Sequence, residues 1–353
     1  MARLSFLLPL ALLCTACNSG SSNIGSSAIP TFHTIDVPGA GTSKYQGTQA
    51  IDINAAGEIT GYARTSSDYF VAFVLSPTNI LTSFEFPSAA HGTLQGTQCF
   101  GINSSGTTVC TSPGSEIVAF TRSSTGTLMT FDAPNGGSIV SVTTINDNGD
   151  TAGIFTSNLG FRGFVRAGDG TVTPFDTPLG DLNAVSRISN NRLIIGYSNY
   201  LSNGSYGFVR AADGTITQFF VPGYETPGYG TVPNDINAGG AIVGSVSTAI
   251  GPQGFLRTPD GAVTAIIPPN TAVLGSSAQS INASGVIAGY FSDSFGVYHG
   301  YIRSLDGTFT TIDHPNAGKT SGTGTILTRI NDAGEVIGTY SDAQGAYHGF
   351  VRR

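Results

Sequence analysis

Tryptophan is absent from the 353 residues, lysine occurs only at Lys44 and Lys319, and charged side chains make up 10% of the chain. With a net charge of -7, so little basic surface excludes nucleic acid, whose phosphates need many cations. It also excludes electrostatic docking on anionic lipid. After the apolar run Leu4–Leu13 no stretch approaches the length of a membrane span. No HExxH sequence and no phosphate-binding loop is present, so neither a metal nor another cofactor is expected. Long apolar patterns of period 3.6 are missing too, which excludes a helical solenoid.

What is present begins with an N-terminal segment that reads as an export signal: Arg3, then an apolar run too short for a permanent transmembrane helix. It ends in Cys14-Thr15-Ala16-Cys17, which resembles a bacterial lipobox, although Cys14 stands where an aliphatic residue is usual. The resemblance implies a signal peptide over residues 1–16 and lipidation at Cys17; ordinary signal-peptide cleavage is the alternative. Residues 17–30 hold almost nothing that could enter a core and read as a polar tether. The folded part is then 31–353, exported and held to the cell envelope through its lipid, or free in the periplasm or medium.

The rest is a repeat. Ile-Asn with Gly three residues on occurs at Asn54 and Gly57, Asn103 and Gly106, Asn146 and Gly149, Asn237 and Gly240, Asn282 and Gly285, and Asn331 and Gly334. Ile188-Ser189 with Arg192 is a degenerate seventh copy. A second small residue follows four places later (Gly61, Cys110, Gly153, Gly196, Gly244, Gly289, Gly338). Then comes an aromatic with Arg two residues on, from Phe120 and Arg122 to Phe350 and Arg352. Each unit closes on a proline, from Pro38 to Pro315. Asn first and Gly fourth suit a turn between strands, and Asp-Gly, as at Asp306-Gly307, marks the next hairpin. Seven units of roughly 46 residues, each with four short strands, predict an all-β, seven-bladed β-propeller. The chain ends at Arg353 without the last unit's fourth strand, while Thr31–Pro38 has that strand's pattern. The N-terminal strand is therefore expected to close the ring and remove an exposed edge. An open β-solenoid is the structural alternative.

Segments such as INDAGEVIGTYSDAQGAYHGF and INASGVIAGYFSDSFGVYHGY resemble the HAF-type extracellular repeat family of bacteria over nearly all of residues 32–353. The resemblance implies secretion and a propeller-like fold, and it brings no catalytic residue or ligand.

Loop lengths point to one end of the molecule as the binding end. The Asn-to-Gly turn is constant, and so in several units is the spacing from the repeated Arg to the acid ten residues on. The unit-to-unit connection and the turn between second and third strands vary. Variable loops on a rigid scaffold are where binding resides. These loops carry the candidate ligand residues Lys44, Tyr45, Tyr200, Tyr224, Glu225, Tyr229, Asp293, Tyr298, Asp342 and Tyr347. Tyrosine offers a flat apolar ring with a polar tip, suited to a glycan, peptide or protein ligand; as the plainer alternative, exposed tyrosines merely fill loops. A monomeric, non-enzymatic envelope module is the first reading. A propeller-type lyase or glycosidase acting on extracellular polymer is the second, with Glu225, Asp293 and Asp342 the acids to test, and a purely structural surface protein the third.

Two repeated features read as structural. The recurrent Arg is expected to be satisfied across a unit interface by carbonyls or by an acid, with Asp36, Glu85, Asp132, Asp176 and Asp313 as the candidate acids. His299 and His348 share one repeat position and read as packing residues. The stretch 146–150, NDNGD, resembles a calcium loop but coincides with the repeat's turn and lacks the later ligands. Finally, Cys99 and Cys110 flank the turn of unit two. A two-residue loop would oppose them for a disulfide, while a turn with a glycine bulge would shift them to opposite faces; both remain open.

Overall fold

The Asn and Gly landmarks build the turns at which each unit's first two strands meet. In unit one the Oδ1 of Asn54 accepts the N–H groups of Ala56 (3.0 Å) and Glu58 (2.9 Å), and Gly57 takes φ +81° where an L side chain would be strained. The computed structural model describes residues 30–178, 181–200, 204–224, 230–249, 251–271 and 275–353. The expected signal peptide and Cys17 lie outside the described residues, as do Glu225 and Tyr229.

The architecture is all-β. Unit three is an antiparallel meander of Ser138–Ile145, Thr151–Ser157, Gly160–Arg166 and Val172–Phe175, and units two, four and five form the same kind of four-stranded sheet. Units one, six and seven belong to one 12-stranded sheet, joined through the single parallel pairings Gly47 with Tyr347 and Gly324 with Tyr298. The N-terminal strand Phe32–Ile35 pairs antiparallel with Tyr347–Arg352, Phe32 opposite Arg352 and Ile35 opposite Gly349. First strands of successive units touch one another, and Gly47–Ile53 touches Gly324–Ile330.

The core lies in layers between neighbouring units. Ala152, Ile154 and Phe175 of unit three pack on Val185, Ile194 and Phe208 of unit four. Ile337 and Val351, with Ile35 and Val37 of the N-terminal strand, pack on Ala50 and Phe73 of unit one. Hydrogen bonds link the units through the motif asparagines. The Nδ2 of Asn54 donates to the carbonyl of Asn103, Asn103 to Asn146, and Asn146 to Ser189. Asn237 donates to Asn282, Asn282 to Asn331, and Asn331 to Asn54. The motif thus holds its own turn with one side-chain atom and the next unit with another.

Two register shifts decide the cysteine question. The turn of unit two spans Asn103–Thr107 with Gly106 at φ +74°, the bulged form. A second bulge at Phe100 restores the register, so Cys99 faces Cys110 with 4.0 Å between Cα atoms and a disulfide joins them. The same second bulge recurs at Ile51, Thr143, Ser186, Asn234, Gln279 and Thr328. It also explains the second glycine. A Cβ at Gly61, Gly153, Gly196, Gly244, Gly289 or Gly338 would lie 2.1–2.2 Å from a first-strand carbonyl oxygen.

The repeated arginines do not pair with the expected acids. Arg122 lies over Phe84 (4.4 Å to the ring centre), Arg166 over Phe131 (5.1 Å), Arg210 over Phe175 (5.2 Å) and Arg257 over Phe219 (4.9 Å). Each contact joins a unit to the one before, so the role is inter-unit, with a ring in place of a carboxylate. Strand alternation is the reason, because the acid follows the ring by one residue and points to the other face. Those acids pair elsewhere: Asp36 with His348 (2.8 Å), Asp313 with His299 (2.9 Å), Asp176 with Arg162 (2.7 Å) and Glu85 with His91 (2.6 Å).

Candidate functional site

In an antiparallel meander the second-to-third-strand turn and the connection to the next unit emerge at one end. Three of these connections are built alike and clipped to the preceding unit's turn: Tyr45 N–H donates to the Gly345 carbonyl, Leu94 to Asp68, and Gly322 to Gly296 (3.0, 2.7 and 2.9 Å). In return Tyr347, Phe70 and Tyr298 donate to the carbonyls of Gln46, Gln95 and Thr323. The residue at the tip has positive φ in all three. In the third it is glycine, but in the first two it is Tyr45 (φ 67°) and Leu94 (φ 60°), 53% and 50% exposed. Bulky residues in this conformation are rare and strained by about 1 kcal/mol or more. Here the strain holds two large side chains in solvent.

Of the candidates read from the sequence, Lys44, Tyr45, Asp293, Tyr298, Asp342 and Tyr347 come together on the arc of units six, seven and one. Lys44 Nζ lies 4.8 Å over the Tyr45 ring, and Tyr45 lies 6.1 Å from Tyr347. Burial, then the neighbouring Tyr45 and Tyr298, push the Tyr347 hydroxyl's pKa up. Tyr298 meets Tyr290 edge-on at 5.8 Å. A cavity of about 240 Å3 opens beside Tyr298, lined by Asp293, Phe295, His299, Asp313 and Lys319. Tyr224 is apart, against Val221 and Phe255 between units four and five. Tyr200 ends the strand Ile194–Tyr200.

The two described acids offered for glycosidase chemistry are turn caps. Asp293 Oδ1 accepts the N–H groups of Phe295 and Val297, and Asp342 Oδ1 those of Gln344 and Ala346. The Val297 N–H, then those of Phe295 and the His299 imidazole, hold Asp293 below the usual carboxylate range against the effect of burial. Each cap also flanks a histidine: His299 lies between Asp313 (2.9 Å) and Asp293 (3.5 Å), His348 between Asp36 (2.8 Å) and Asp342 (3.5 Å). Asp36 raises the His348 pKa. On its other side His348 stacks on Tyr340, which stacks on His314. The Nδ1 of buried His314 accepts the Asn316 N–H, and burial, then His348, lowers its pKa to about 4.

Sequence reading missed a charged cluster on the axis. In five of the seven units the residue before the motif Ile lines a cavity of about 190 Å3 shared by the first strands, and four of these five are Asp52, Arg187, Asp235 and Arg329. Arg187 Nη1 donates to Asp52 Oδ2 at 3.0 Å, joining units one and four, while its Nε lies 3.5 Å from Asp235. Asp52 and the other carboxylate hold the Arg187 pKa well above its usual value despite burial. The signal was two acids and two arginines at one repeat position inside buried strands. Among the described residues no three His, Cys, Asp or Glu side chains cluster as a metal site.

No protein-family model and no curated protein sequence matches the chain. Solved structures do. A catalytically inactive variant of virginiamycin B lyase from Staphylococcus aureus, with quinupristin, matches with a TM-score of 0.60 at 16% identity, over 92% of this chain and 100% of that one. Oligogalacturonate lyase from Vibrio parahaemolyticus matches at 0.57 and 9%, over 92% and 96%. Puromycin hydrolase matches at 0.59 and 11%, over 86% of this chain and 51% of that one. These are β-propeller proteins, and the chain has a β-propeller-like repeat fold. At such identities the likeness speaks for the fold alone.

Proposed function

We propose that the chain is a seven-bladed β-propeller of four-stranded blades, closed by its N-terminal strand, that binds an extracellular ligand at its variable-loop end without turning it over. The seven motif copies, the pairing of Phe32–Ile35 with the last strand, and the asparagine bonds that return to Asn54 support the architecture. One observation carries the function. Of the nine exposed large apolar side chains described, six (Tyr45, Leu94, Leu159, Phe161, Ile267 and Phe295) stand at the loop end. Exposed rings and aliphatic side chains at one end supply contact surface for a ligand, and rings beside carboxylates and imidazoles suit a saccharide, whose C–H faces stack while its hydroxyls bond. Export and anchoring through Cys17 belong to the same proposal, on the strength of the N-terminal sequence.

The test is a glycan and peptidoglycan array with residues 31–353, repeated with Tyr45→Ala, Tyr298→Ala and Phe295→Ala. A true ligand loses about tenfold or more in affinity with at least one of them; a hit indifferent to all three overturns the loop-end site. The enzymatic reading draws on His299, an imidazole held by a carboxylate in a cavity, as a general base requires. Turnover of an array hit that disappears in His299→Gln would replace the binding reading with a lyase.

A further inference from the structure

In units one, four, five and six the recurring bulge turns two successive residues of the first strand toward the axis. In five units the residue after the bulge lines the cavity of the charged cluster, and six bulge residues wall a second cavity of about 240 Å3. First strands run from the loop end toward the asparagine turns, so this second cavity lies on the loop side of the cluster. Ile51, Phe100 and Val185 give it apolar surface, Ser186 and Asn234 polar surface, and Arg329 reaches it from the cluster.

Arg329 is unevenly satisfied. Its Nη1 donates to the carbonyls of Gln279 (3.0 Å) and Thr328 (3.3 Å), but its buried Nε has no hydrogen-bond acceptor, because Asp52 Oδ1, 3.5 Å away, is misaligned. Of the cluster's carboxylate oxygens Asp52 Oδ1 alone faces that Nε, and it too completes no hydrogen bond. Asp52 Oδ2 takes Arg187 and the Ile102 N–H, and Asp235 Oδ2 takes the Ser280 hydroxyl and the Ile281 N–H. Burial, then the Arg187 charge, lowers the Arg329 pKa, whereas that of Arg187 is raised. A desolvated guanidinium whose ion pair with Asp52 completes no hydrogen bond is costly to keep and can take a further anion.

We propose that this axial cavity binds a small monocarboxylate with a short apolar tail, the carboxylate on Arg329 and the tail against Ile51, Phe100 and Val185. The ligand enters from the loop end, since the ion-paired cluster crosses the axis on the other side. The site stands independently of the loop-end binding reading.

Calorimetric titration of residues 31–353 with butyrate and benzoate, at constant ionic strength, tests it against butanol and benzyl alcohol. The carboxylates bind and raise the melting temperature, and the alcohols do not. Arg329→Gln weakens binding about tenfold or more. Ser186→Leu, which fills the cavity and leaves all four charges in place, abolishes it and covers the case in which Arg329→Gln fails to fold. No binding of either carboxylate up to about 20 mM, equal binding of the alcohols, or binding that survives Ser186→Leu overturns the proposal.

Discussion

Replacing Asn331 tests whether the motif asparagine joins units or only shapes its own turn. Asn331 is buried, and its Oδ1 accepts the Glu335 N–H (3.0 Å). Its Nδ2 donates to the Asn54 carbonyl (3.1 Å) and to Glu335 Oε2 (2.7 Å). Asn331→Ala removes all three bonds and leaves the Glu335 N–H without its acceptor, while the Asn54 carbonyl keeps only the Gly57 N–H (3.1 Å). At about 1 kcal/mol per net bond, with more where a buried group is left unsatisfied, the loss comes to roughly 3 kcal/mol. Unit four supplies the natural control, because Ser189 keeps the turn bond by accepting the Leu193 N–H through its hydroxyl (3.1 Å). Asn331→Ser should therefore keep the turn, lose the inter-unit bond, and cost about 1–2 kcal/mol. Urea unfolding followed by circular dichroism reads both from the midpoints at unchanged slope. If Asn331→Ala costs under about 0.5 kcal/mol, or the serine variant costs as much as the alanine one, the linking role is refuted.

Deleting residues 32–38 strips the edge of Tyr347–Arg352 and uncovers the surface that Ile35 and Val37 bury; a parent-like urea midpoint would count against the shared sheet. His314, neutral when folded with a pKa of about 4 against 6.5 unfolded, binds fewer protons in the native state, so its contribution is complete above pH 6.5 and lost as pH falls toward 4. The ceiling is about 3 kcal/mol, and His314→Phe should flatten stability over that window; an unchanged pH profile contradicts this. His348 has the opposite sign, its raised pKa adding stability that fades as pH rises through it. Gly324→Ala should cost more than about 2 kcal/mol, since φ is +128° and the new Cβ would sit 2.1 Å from the Tyr298 carbonyl oxygen. An unaltered melting temperature would show that the strand start relaxes freely.

Turns and repeat phase were legible in the sequence because they depend on local chemistry. Asn and Gly three apart mark a turn between strands, though its bulged form emerged only in the structure, and the strands of the last unit, Gly324–Ile330, Val336–Ser341 and Tyr347–Arg352, flank the turns the motif marks. The pairing of Phe32–Ile35 with the last strand followed from a missing strand at one terminus and its pattern at the other. The second glycine was visible as a landmark without its cause. Its reason, a first-strand carbonyl 2.1–2.2 Å from where a Cβ would be, exists only once the bulge is formed.

That bulge also hid the axial residues. By simple alternation Ile51 and Asp52 should point to opposite faces, so a buried Asp52 reads as a lone acid with no partner in reach. Because the bulge adds one residue to the first strand, both side chains reach the axis, where Arg187 meets Asp52 from 135 positions away. The fold has accepted four desolvated charges where leucine or valine would pack at less cost. Their arrangement is also lopsided, with Arg187 hydrogen-bonded to Asp52 while Arg329 bonds only carbonyls and its Nε faces Asp52 Oδ1 at 3.5 Å without completing a hydrogen bond. A cluster built only to fill the axis has no physical reason to leave one guanidinium unsatisfied beside a cavity, and that asymmetry gives the carboxylate proposal its footing.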